Sequence, residues 1–358
     1  MRITEDAQIR VNRIKEKTMR AIVHDRYGGS DVLELREIAR PTVGDGEVLV
    51  RVHAASANPY DWHLMAGLPY LARLLGRSAG FGLRRPIKTR RGWDLAGVIE
   101  DVDGAVVGLR PGDEVFGWGD GAFAEYLTAT EDHFASKPAN VTFQQAAAVP
   151  MAALTALQAV RDQGRTRPGQ KVLVNSGSGG VGTFAIQIAK WLNADVTAVC
   201  STRNVELVRS IGADHVIDYS QDDFTQGDEK YDVIVDSAVS RSLSEYRRVL
   251  APGGIYIIFG DSGGHWLGGF RRVFQAMLLA PFVSHKLRNF TMRPTQRDLE
   301  VLRELLETGV IKPVIDRTYR LEETAQAIEY LAEGHPRAKV VITISSEGGP
   351  VGSGTATA

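Results

Sequence analysis

Short apolar runs broken by Gly, Pro and Asp dominate the chain from Met19 to about residue 143. The runs are Met19–Val23, Val48–Val52, Leu95–Ile99, Glu114–Phe116 and Ala124–Leu127. Such runs, separated by turn residues, are typical of strands in an all-β or barrel-like domain. The pattern therefore predicts a mostly-β domain over residues 19–143, with its first strand beginning at Met19.

From Thr142 the pattern changes to an Ala-rich helical stretch over 144–162, followed by strands that alternate with helices. The predicted strands are 171–174, 195–200, 214–218, 232–236 and 254–259, and the predicted helices are 203–211 and 241–250. Alternation of this kind predicts a doubly wound parallel sheet with crossover helices. Phe290–Arg293 is a candidate last strand, and Leu299, Leu302, Leu305 and Leu306 predict an amphipathic helix over 295–308.

The segment Val314–Ile344 returns to the pattern of the first domain. We therefore expect an α/β chain in which the doubly wound domain, residues 144–308, separates two parts of the mostly-β domain, 19–143 and 309–346. The charged residues 1–18 are interpreted as an N-terminal extension. The tail 347–358 is rich in Gly, Ser, Thr and Ala, so we expect it to be disordered.

A glycine-rich loop supplies the most informative motif. The apolar strand Lys171–Val174 leads into a loop with Gly177, Gly179 and Gly182 in G-x-G-x-x-G register, and a helical pattern follows. Glycines let the backbone approach a pyrophosphate, which the N–H groups and dipole of the helix N-terminus stabilise. We therefore predict that the loop binds a dinucleotide through Gly177, Ser178, Gly179, Gly180, Val181 and Gly182.

Composition narrows the partners and the compartment. With 358 residues, 44% of them hydrophobic, the chain can form two domains, and its net charge of -1 gives no reason to expect nucleic acid. The single cysteine, Cys200, suits a reducing cytoplasm and excludes an internal disulfide. No apolar run reaches the ~18 residues of a membrane span, and the apolar segment 273–283 is interpreted as a substrate lid or partner contact.

Several motifs together resemble the medium-chain dehydrogenase/reductase superfamily, in its zinc-independent quinone oxidoreductase branch. Beside the glycine loop, the resemblance rests on Ala57–Asp61, Gly92–Val98, Arg110–Gly117, Gly212–Tyr219 and Gly334–His335 with Lys339–Val341. It covers residues 19–344. The resemblance implies a GroES-like barrel beside a Rossmann domain, with the active site in the cleft between them, and we also expect a homodimer.

Zinc-dependent members of that superfamily carry their metal ligands at positions that this chain fills with Asn58, Trp93–Asp94 and Met151. Trp and Met offer zinc no ordinary ligand, and Asn58 with Asp94 is too little for a three-ligand site. We therefore predict no metal, so that hydrogen-bond donors must polarise the substrate.

The end of the second parallel strand bears on the choice of cofactor. An NAD-selective site ends this strand with Asp or Glu, whereas this chain has Ser201, Thr202 and Arg203. Hydroxyls and an arginine suit a 2′-phosphate, and Tyr219 matches a position that contacts it in NADPH-using relatives. We predict NADPH, although Asn204 stands where relatives often have Lys, and Arg203 as a solvated helix residue stays an alternative.

The resemblance also supplies candidates for catalysis. It implies that Asn58, Tyr60 and His63 face the nicotinamide, where Tyr60 and His63 can donate to an enolate or alkoxide oxygen. Thr155 matches a family threonine near the nicotinamide, and Phe259–Gly260 ends a central strand beside the cofactor. The alternatives are a turn at Asn58, a surface His63, a Thr155 that bonds within its helix, and a proton from solvent.

Three functions follow from these observations. The leading one is NADPH-dependent hydride transfer to an enone, an enal or a quinone. Metal-free carbonyl reduction or alcohol oxidation is the second, and a redox-silent NADPH-binding protein is the third. A basic cluster formed by Arg84, Arg85, Lys88, Arg90 and Arg91 is interpreted as a solvated loop rather than a contact for an anionic substrate.

Overall fold

The glycine-rich loop follows the first strand of a six-stranded parallel sheet in the computed structural model, which describes residues 18–68, 70–75, 80–259, 286–334 and 336–344. Residues 1–17 of the predicted extension 1–18, the tail 347–358, the segment 273–283 and Gly260 lie outside the described residues, while Thr18 begins a strand.

Strands are numbered in chain order over the described residues. They are β1 Thr18–Val23, β2 Glu34–Ala39, β3 Glu47–Ala57, β4 Asp94–Val102, β5 Glu114–Trp118, β6 Tyr126–Thr130, β7 Phe134–Ser136, β8 Lys171–Asn175, β9 Asp195–Cys200, β10 His215–Asp218, β11 Tyr231–Asp236, β12 Leu250–Ile258, β13 Lys286–Asn289, β14 Ile315–Arg320 and β15 Lys339–Thr343. The α-helices are Pro59–Ala66, Tyr70–Leu75, Phe143–Ala147, Pro150–Leu157, Gly180–Trp191, Val205–Ser210, Leu243–Val249, Gln296–Glu307 and Thr324–Ala332, and a π-helix spans Gln158–Gln163. Short 3₁₀ helices are Ser30–Val32, Glu131–His133, Thr202–Asn204 and Leu321–Glu323.

The parallel sheet has the strand order β10-β9-β8-β11-β12-β13. Counted from β8, this is the order 3-2-1-4-5-6 of a Rossmann sheet, and the described pairings are all parallel. The predicted doubly wound fold is therefore confirmed. The order reverses between β8 and β11, and such a sheet binds its ligand at that point, beside the carboxyl ends of the strands.

The second large sheet has the order β14-β15-β3-β4-β5-β7, with β6 also paired to β3. β3 is long enough to pair with β6 through its first half and with β15 through its last residues. β14 and β15 thereby join the strands that come early in the chain. The expected mostly-β partner of the Rossmann sheet is confirmed, while the domain boundaries at 143/144 and 308/309 stay predictions.

The Ala-rich stretch packs between the two sheets. Ala152, Ala153 and Ala156 are almost fully buried in one apolar cluster that also contains Ala54 of β3 and Val172 of β8. Alanine side chains allow neighbouring backbones to approach closely, and the helix Pro150–Leu157 contacts both β4 and β5 of one sheet and the helix Gly180–Trp191 that follows β8. Among the described residues, no helix combines the length and the apolar character that a bilayer crossing requires.

Several element boundaries differ from the sequence predictions. The continuous helix over 144–162 is wrong, because Pro150 begins a new helix and residues 158–163 are π-helical. The first strand begins at Thr18, and the helix predicted over 241–250 ends at Val249 because Leu250 enters β12.

The last strand is Lys286–Asn289 rather than Phe290–Arg293. Lys286 pairs with Ile255 and Asn289 with Ile258, and Phe290 leaves the sheet to pack edge-on against Phe259, with ring centroids 5.8 Å apart. The apolar residues at 290–293 therefore cover the end of the sheet instead of extending it.

Candidate active site

The loop between β8 and the helix Gly180–Trp191 has the geometry of an anion cradle. Ser176 adopts a left-handed φ of 66°, and its carbonyl accepts from the Gly179 N–H at 3.0 Å. A Cβ on Gly182 would lie 2.0 Å from that carbonyl oxygen, so only glycine permits this approach. No side chain caps the helix N-terminus, which leaves its first N–H groups to a ligand.

A cleft of about 380 Å³ opens beside this loop. Of the predicted cofactor residues, Ser178, Gly179, Ser201, Arg203 and Tyr219 line it. Asn204 lines it too: its Nδ2 donates to Ser178 Oγ at 2.9 Å and to Ser201 Oγ at 3.1 Å. Its buried Oδ1 has no hydrogen-bond partner among the described residues, which is expected where a bound ligand supplies the donor. The cleft therefore offers a ligand polar groups next to the glycine loop, as the phosphate-bearing part of a dinucleotide requires.

Other predicted cofactor residues lie away from the lining of this cleft. The Thr202 hydroxyl donates to Asp218 Oδ2 at 2.6 Å, because Asp218 ends the neighbouring strand β10. Thr155 bonds within its own helix, to Met151 O at 2.7 Å, as the alternative interpretation expected. Phe259 is buried against Phe290. The structure thus brings Ser201 and Arg203 to the cleft without Thr202.

Sequence reasoning missed Ser240 and Arg241, which line the cleft from the loop after β11. Arg241 lies with its Nε 3.4 Å from Asp223 Oδ1. The missed signal was topological, because the loop after β11 lies at the carboxyl edge of the parallel sheet, where ligands bind. Two arginines, Arg203 and Arg241, therefore line one dinucleotide cleft.

The segment Asn58–His63 carries the candidate catalytic residues and is called the catalytic loop below; it begins the helix Pro59–Ala66. Asp61 closes a capping box: its carboxylate accepts from the Asn58 N–H at 2.9 Å and also from the Gly92 N–H at 3.1 Å. Burial raises the pKa of Asp61 to about 7, and the Asp94 carboxylate adds to the rise, while the two N–H groups and Arg91 oppose it. Asp61 therefore has a structural task in the loop.

The two candidate proton donors differ in exposure. Tyr60 is 36% exposed, and desolvation raises the pKa of its phenol, so the hydroxyl stays protonated at neutral pH and can donate. His63 is half-buried, and its ring packs edge-on against Trp62 with centroids 4.7 Å apart. His63 is therefore only partly exposed, and both its catalytic role and the surface position that the sequence left open stay predictions.

Arg91 corrects the interpretation of the basic cluster. Arg84 and Arg85 are exposed, as a solvated loop requires, but Arg91 is only 4% exposed. Burial lowers the pKa of its guanidinium, and Asp61 is the largest opposing influence. Arg91 is thus a buried charge that interacts with the Asp61 carboxylate, and it does not belong to the solvent-facing surface.

Asn58 belongs to a buried network that we call the Asp94 network: Ser56, Asn58, Asp94 and Lys339. Asp94 Oδ2 accepts from Ser56 Oγ at 2.8 Å and from Asn58 Nδ2 at 3.0 Å, and Oδ1 accepts from the Met151 N–H at 2.9 Å. The Lys339 ammonium lies 2.6 Å from Asn58 Oδ1 and 3.3 Å from Asp94 Oδ2. Sequence reasoning gave Lys339 no role at the site.

Comparison with known proteins places the two halves in one family. Residues 44–139 match the alcohol dehydrogenase GroES-like domain, and residues 211–342 match the zinc-binding dehydrogenase family. A chloroplast envelope quinone oxidoreductase homolog of Arabidopsis thaliana is 31% identical over 91% of this chain and 98% of its own length. An NADPH-dependent alkenal/one oxidoreductase of the same plant is 33% identical over 95% of this chain and 82% of its own length.

A solved quinone oxidoreductase from Coxiella burnetii superposes with a TM-score of 0.80 at 28% identity, over 92% of this chain and 100% of that one. The chain belongs to the medium-chain dehydrogenase/reductase superfamily. Within it, the chain falls in the quinone oxidoreductase-like branch, as the motifs predicted, and it is an NAD(P)H-dependent oxidoreductase.

Zinc is a cofactor of part of this superfamily, and it requires three protein ligands at a catalytic site. Asp94 already accepts from Ser56, Asn58 and a backbone N–H, and a lysine ammonium lies against it. Trp93 stacks on Trp118, with centroids 5.7 Å apart. Over the described ranges, no three His, Cys, Asp or Glu side chains form a group that could hold a metal ion. These residues do not fit a catalytic zinc.

Proposed function

We propose that this superfamily member is a metal-independent NADPH-dependent reductase that delivers hydride to the C=C bond of an enone or enal, or to a quinone. The observation that carries the proposal is the Lys339 ammonium, which lies among the positions that hold zinc ligands elsewhere in the superfamily. The printed activities of the two plant relatives, a quinone oxidoreductase homolog and an alkenal/one oxidoreductase, support the same substrate class.

Bound NADPH supplies the hydride, and the chain must stabilise the charge that develops on the acceptor oxygen. A conjugated acceptor spreads this charge from carbon to oxygen, so one or two neutral donors are enough where an isolated carbonyl needs stronger polarisation. The Tyr60 hydroxyl and the His63 ring are the proposed donors of the catalytic loop, with solvent as the source of the proton. Asn58, Thr155 and Phe259 do not line the cleft beside the glycine loop, and we propose that they shape the place where the nicotinamide binds.

A direct test mixes purified protein with NADPH and a panel of quinones, enals, enones and isolated ketones, and follows the absorbance of the reduced nicotinamide. Product analysis then separates reduced C=C bonds from reduced carbonyls. Turnover of isolated ketones alone would favour the carbonyl reductase, and tight NADPH binding without oxidation across the panel would favour the redox-silent protein.

The roles of the catalytic loop are tested with Tyr60→Phe and His63→Ala. Removing one hydrogen-bond donor to a developing oxyanion costs about 10²–10³ in kcat, so the variant that loses the essential donor should be slower by at least about a hundredfold. Tyr70→Phe is the matched control, because Tyr70 lies on the next helix, Tyr70–Leu75, and is similarly exposed at 38%. If neither loop variant slows turnover, the loop only shapes the pocket and solvent supplies the proton unaided.

We further propose that Arg203 and Arg241 favour NADPH over NADH by binding the 2′-phosphate, with Ser201 and Tyr219 beside them. A hydrogen bond to a charged group contributes about 1.5–3 kcal/mol, so Arg203→Ala and Arg241→Ala should each raise the Kd of NADPH about tenfold or more and leave that of NADH nearly unchanged. Arg209→Ala is the control, since Arg209 follows on the helix Val205–Ser210 but pairs with Glu206 outside the cleft. Equal affinity of the wild type for both cofactors would refute the preference.

The homodimer, the cytoplasmic location and the domain boundaries remain proposals. Sedimentation analysis tests the dimer. The location matters because relatives with similar sequences carry chloroplastic or mitochondrial names, and imaging of the tagged full chain decides it.

A further inference from the structure

Lys339 and Asp94 form an ion pair in the interior, with the two residues 3% and 0% exposed. Burying two charges costs much of what their attraction returns, so apolar residues of similar volume would serve the fold equally well. The pair also lies at the start of the catalytic loop, through Asn58.

The network determines which way the Asn58 amide points. Asn58 Nδ2 donates to Asp94 Oδ2 at 3.0 Å and to Ser56 O at 3.3 Å, and Asn58 Oδ1 accepts from Lys339 Nζ at 2.6 Å. A reversed amide would set Nδ2 against the ammonium, donor against donor, and Oδ1 against a carboxylate. Both amide hydrogens are used, so Asn58 can offer a ligand only the second lone pair of Oδ1.

Lys339 connects the glycine loop with Asn58, because the residue before it is hydrogen-bonded to that loop. Ala338 has a left-handed φ of 74°, which is strained for alanine, and its N–H donates to Ser178 O at 2.8 Å. A Cβ on Gly180 would lie 3.3 Å from Lys339 Cδ, so the lysine stem passes beside the start of the helix. One side chain therefore spans from the proposed pyrophosphate cradle to the catalytic loop.

We propose that Lys339 is a positioning residue for hydride transfer: its ammonium holds the Asn58 amide with the oxygen available as an acceptor, and it ties the catalytic loop to the glycine loop. This inference rests on the proposed function for its reaction. A ligand N–H, such as that of a nicotinamide carboxamide, has the chemistry to meet this acceptor. Lys339 itself acts through Asn58.

The first test separates charge neutralisation from positioning. Lys339→Met leaves Asp94 buried and unpaired, so Tm should fall. In Lys339→Met/Asp94→Asn both charges are gone, and the new amide at position 94 can donate to a reversed Asn58 amide. We expect the double variant to regain most of the lost Tm and to bind NADPH within about threefold of wild type, while kcat stays about tenfold or more below it. Recovery of kcat together with Tm would overturn the proposal.

A second variant keeps the ion pair and does not depend on recovered stability. Asn58→Ala should lower kcat by about the same factor as the double variant, and the triple variant should be no slower, because effects that pass through one residue do not add. Full kcat in Asn58→Ala, or a further drop in the triple variant, would overturn the proposal. The matched control is Lys137→Met/Glu114→Gln, which removes another ion pair of 2.9 Å with a buried lysine, and kcat should stay unchanged.

A failure of the proposed function can be distinguished from a failure of the role proposed for Lys339. If the wild type oxidises NADPH with none of the acceptors, the proposed function is wrong. Lys339 is then judged by the emission maximum of bound NADPH, which reports the surroundings of the nicotinamide. A shift in Asn58→Ala and in the Lys339/Asp94 double variant, but not in the Lys137/Glu114 control, supports positioning, and unchanged emission in both overturns it.

Discussion

Replacing Gly182 by alanine tests whether the dinucleotide cradle depends on one close contact. The added Cβ would lie 2.0 Å from the Ser176 carbonyl oxygen and 2.9 Å from Gly177 Cα, whereas real Cβ contacts stay above 3.0 Å. The helix Gly180–Trp191 and the loop must therefore separate by about 1 Å. The loop cannot yield without loss, because Ser176 is already left-handed and its carbonyl holds the Gly179 N–H.

The size of the effect follows from these contacts. Overpacking of a well-packed interior costs about 1–3 kcal/mol. Each kcal/mol lowers the Tm of a domain of this size by about 2–4 °C. Displacing the helix N-terminus also weakens its hydrogen bonds to a charged pyrophosphate, worth about 1.5–3 kcal/mol each, so the Kd of NADPH should rise about tenfold to a hundredfold.

Thermal melting and a fluorescence titration with NADPH measure the two quantities. Gly104→Ala is the matched control, since a Cβ there meets no atom within 4 Å and the same methyl group should change neither Tm nor Kd. The reasoning is wrong if Gly182→Ala binds NADPH within about twofold of the wild type, or if the two alanine variants behave alike.

Three further predictions concern groups outside the cradle. Burial raises the pKa of Asp61 to about 7, above its ordinary 3.8. Its contribution to the free energy of unfolding is therefore fully present below about pH 4 and is lost as the pH rises through about 7. In urea denaturation at a series of pH values, Asp61→Asn should remove this part of the pH dependence. Burial, with Asp218 adding, raises the pKa of Cys200 to about 11, so a disulfide reagent at pH 8 should label it only after unfolding, and rapid labelling of the native protein would refute this. Leu302 is fully buried in the interior cluster, so Leu302→Ala should cost about 2–5 kcal/mol in urea denaturation, against a negligible change for the exposed Val107→Ala.

The sequence predicts the parallel sheet and the glycine loop because patterns between neighbouring residues are enough to identify both. Apolar runs, helical periodicity and a short motif each lie within one or two elements, and the strand order then follows from topology. The last strand could not be located in this way. Lys286–Asn289 has little apolar character, and it forms a strand because Ile255–Ile258 offers it a free edge. The apolar residues after it looked more strand-like but pack elsewhere.

The candidate site was predictable only where its residues share a motif. Lys339 meets Asn58 across 281 residues and Asp94 across 245, so no local pattern connects them. Arg241 likewise lies in the same cleft as Arg203 only because the sheet places β9 and β11 on the two sides of β8. Thr202 shows the reverse case, since it neighbours two cleft residues in sequence but turns to Asp218.

Lys339, which lies beside the positions of the zinc ligands, would act on the substrate differently from a metal. Zinc polarises a carbonyl by direct coordination, whereas the Lys339 ammonium is buried and already bonded to Asn58 and Asp94. Its charge reaches a substrate only weakly, so the site suits acceptors whose conjugation carries the developing charge. Dialysis of the enzyme against a strong chelator should therefore leave kcat unchanged for an enal or a quinone. If the chelator abolishes activity and added zinc restores it, the metal-independent site and the proposed substrate class are both wrong.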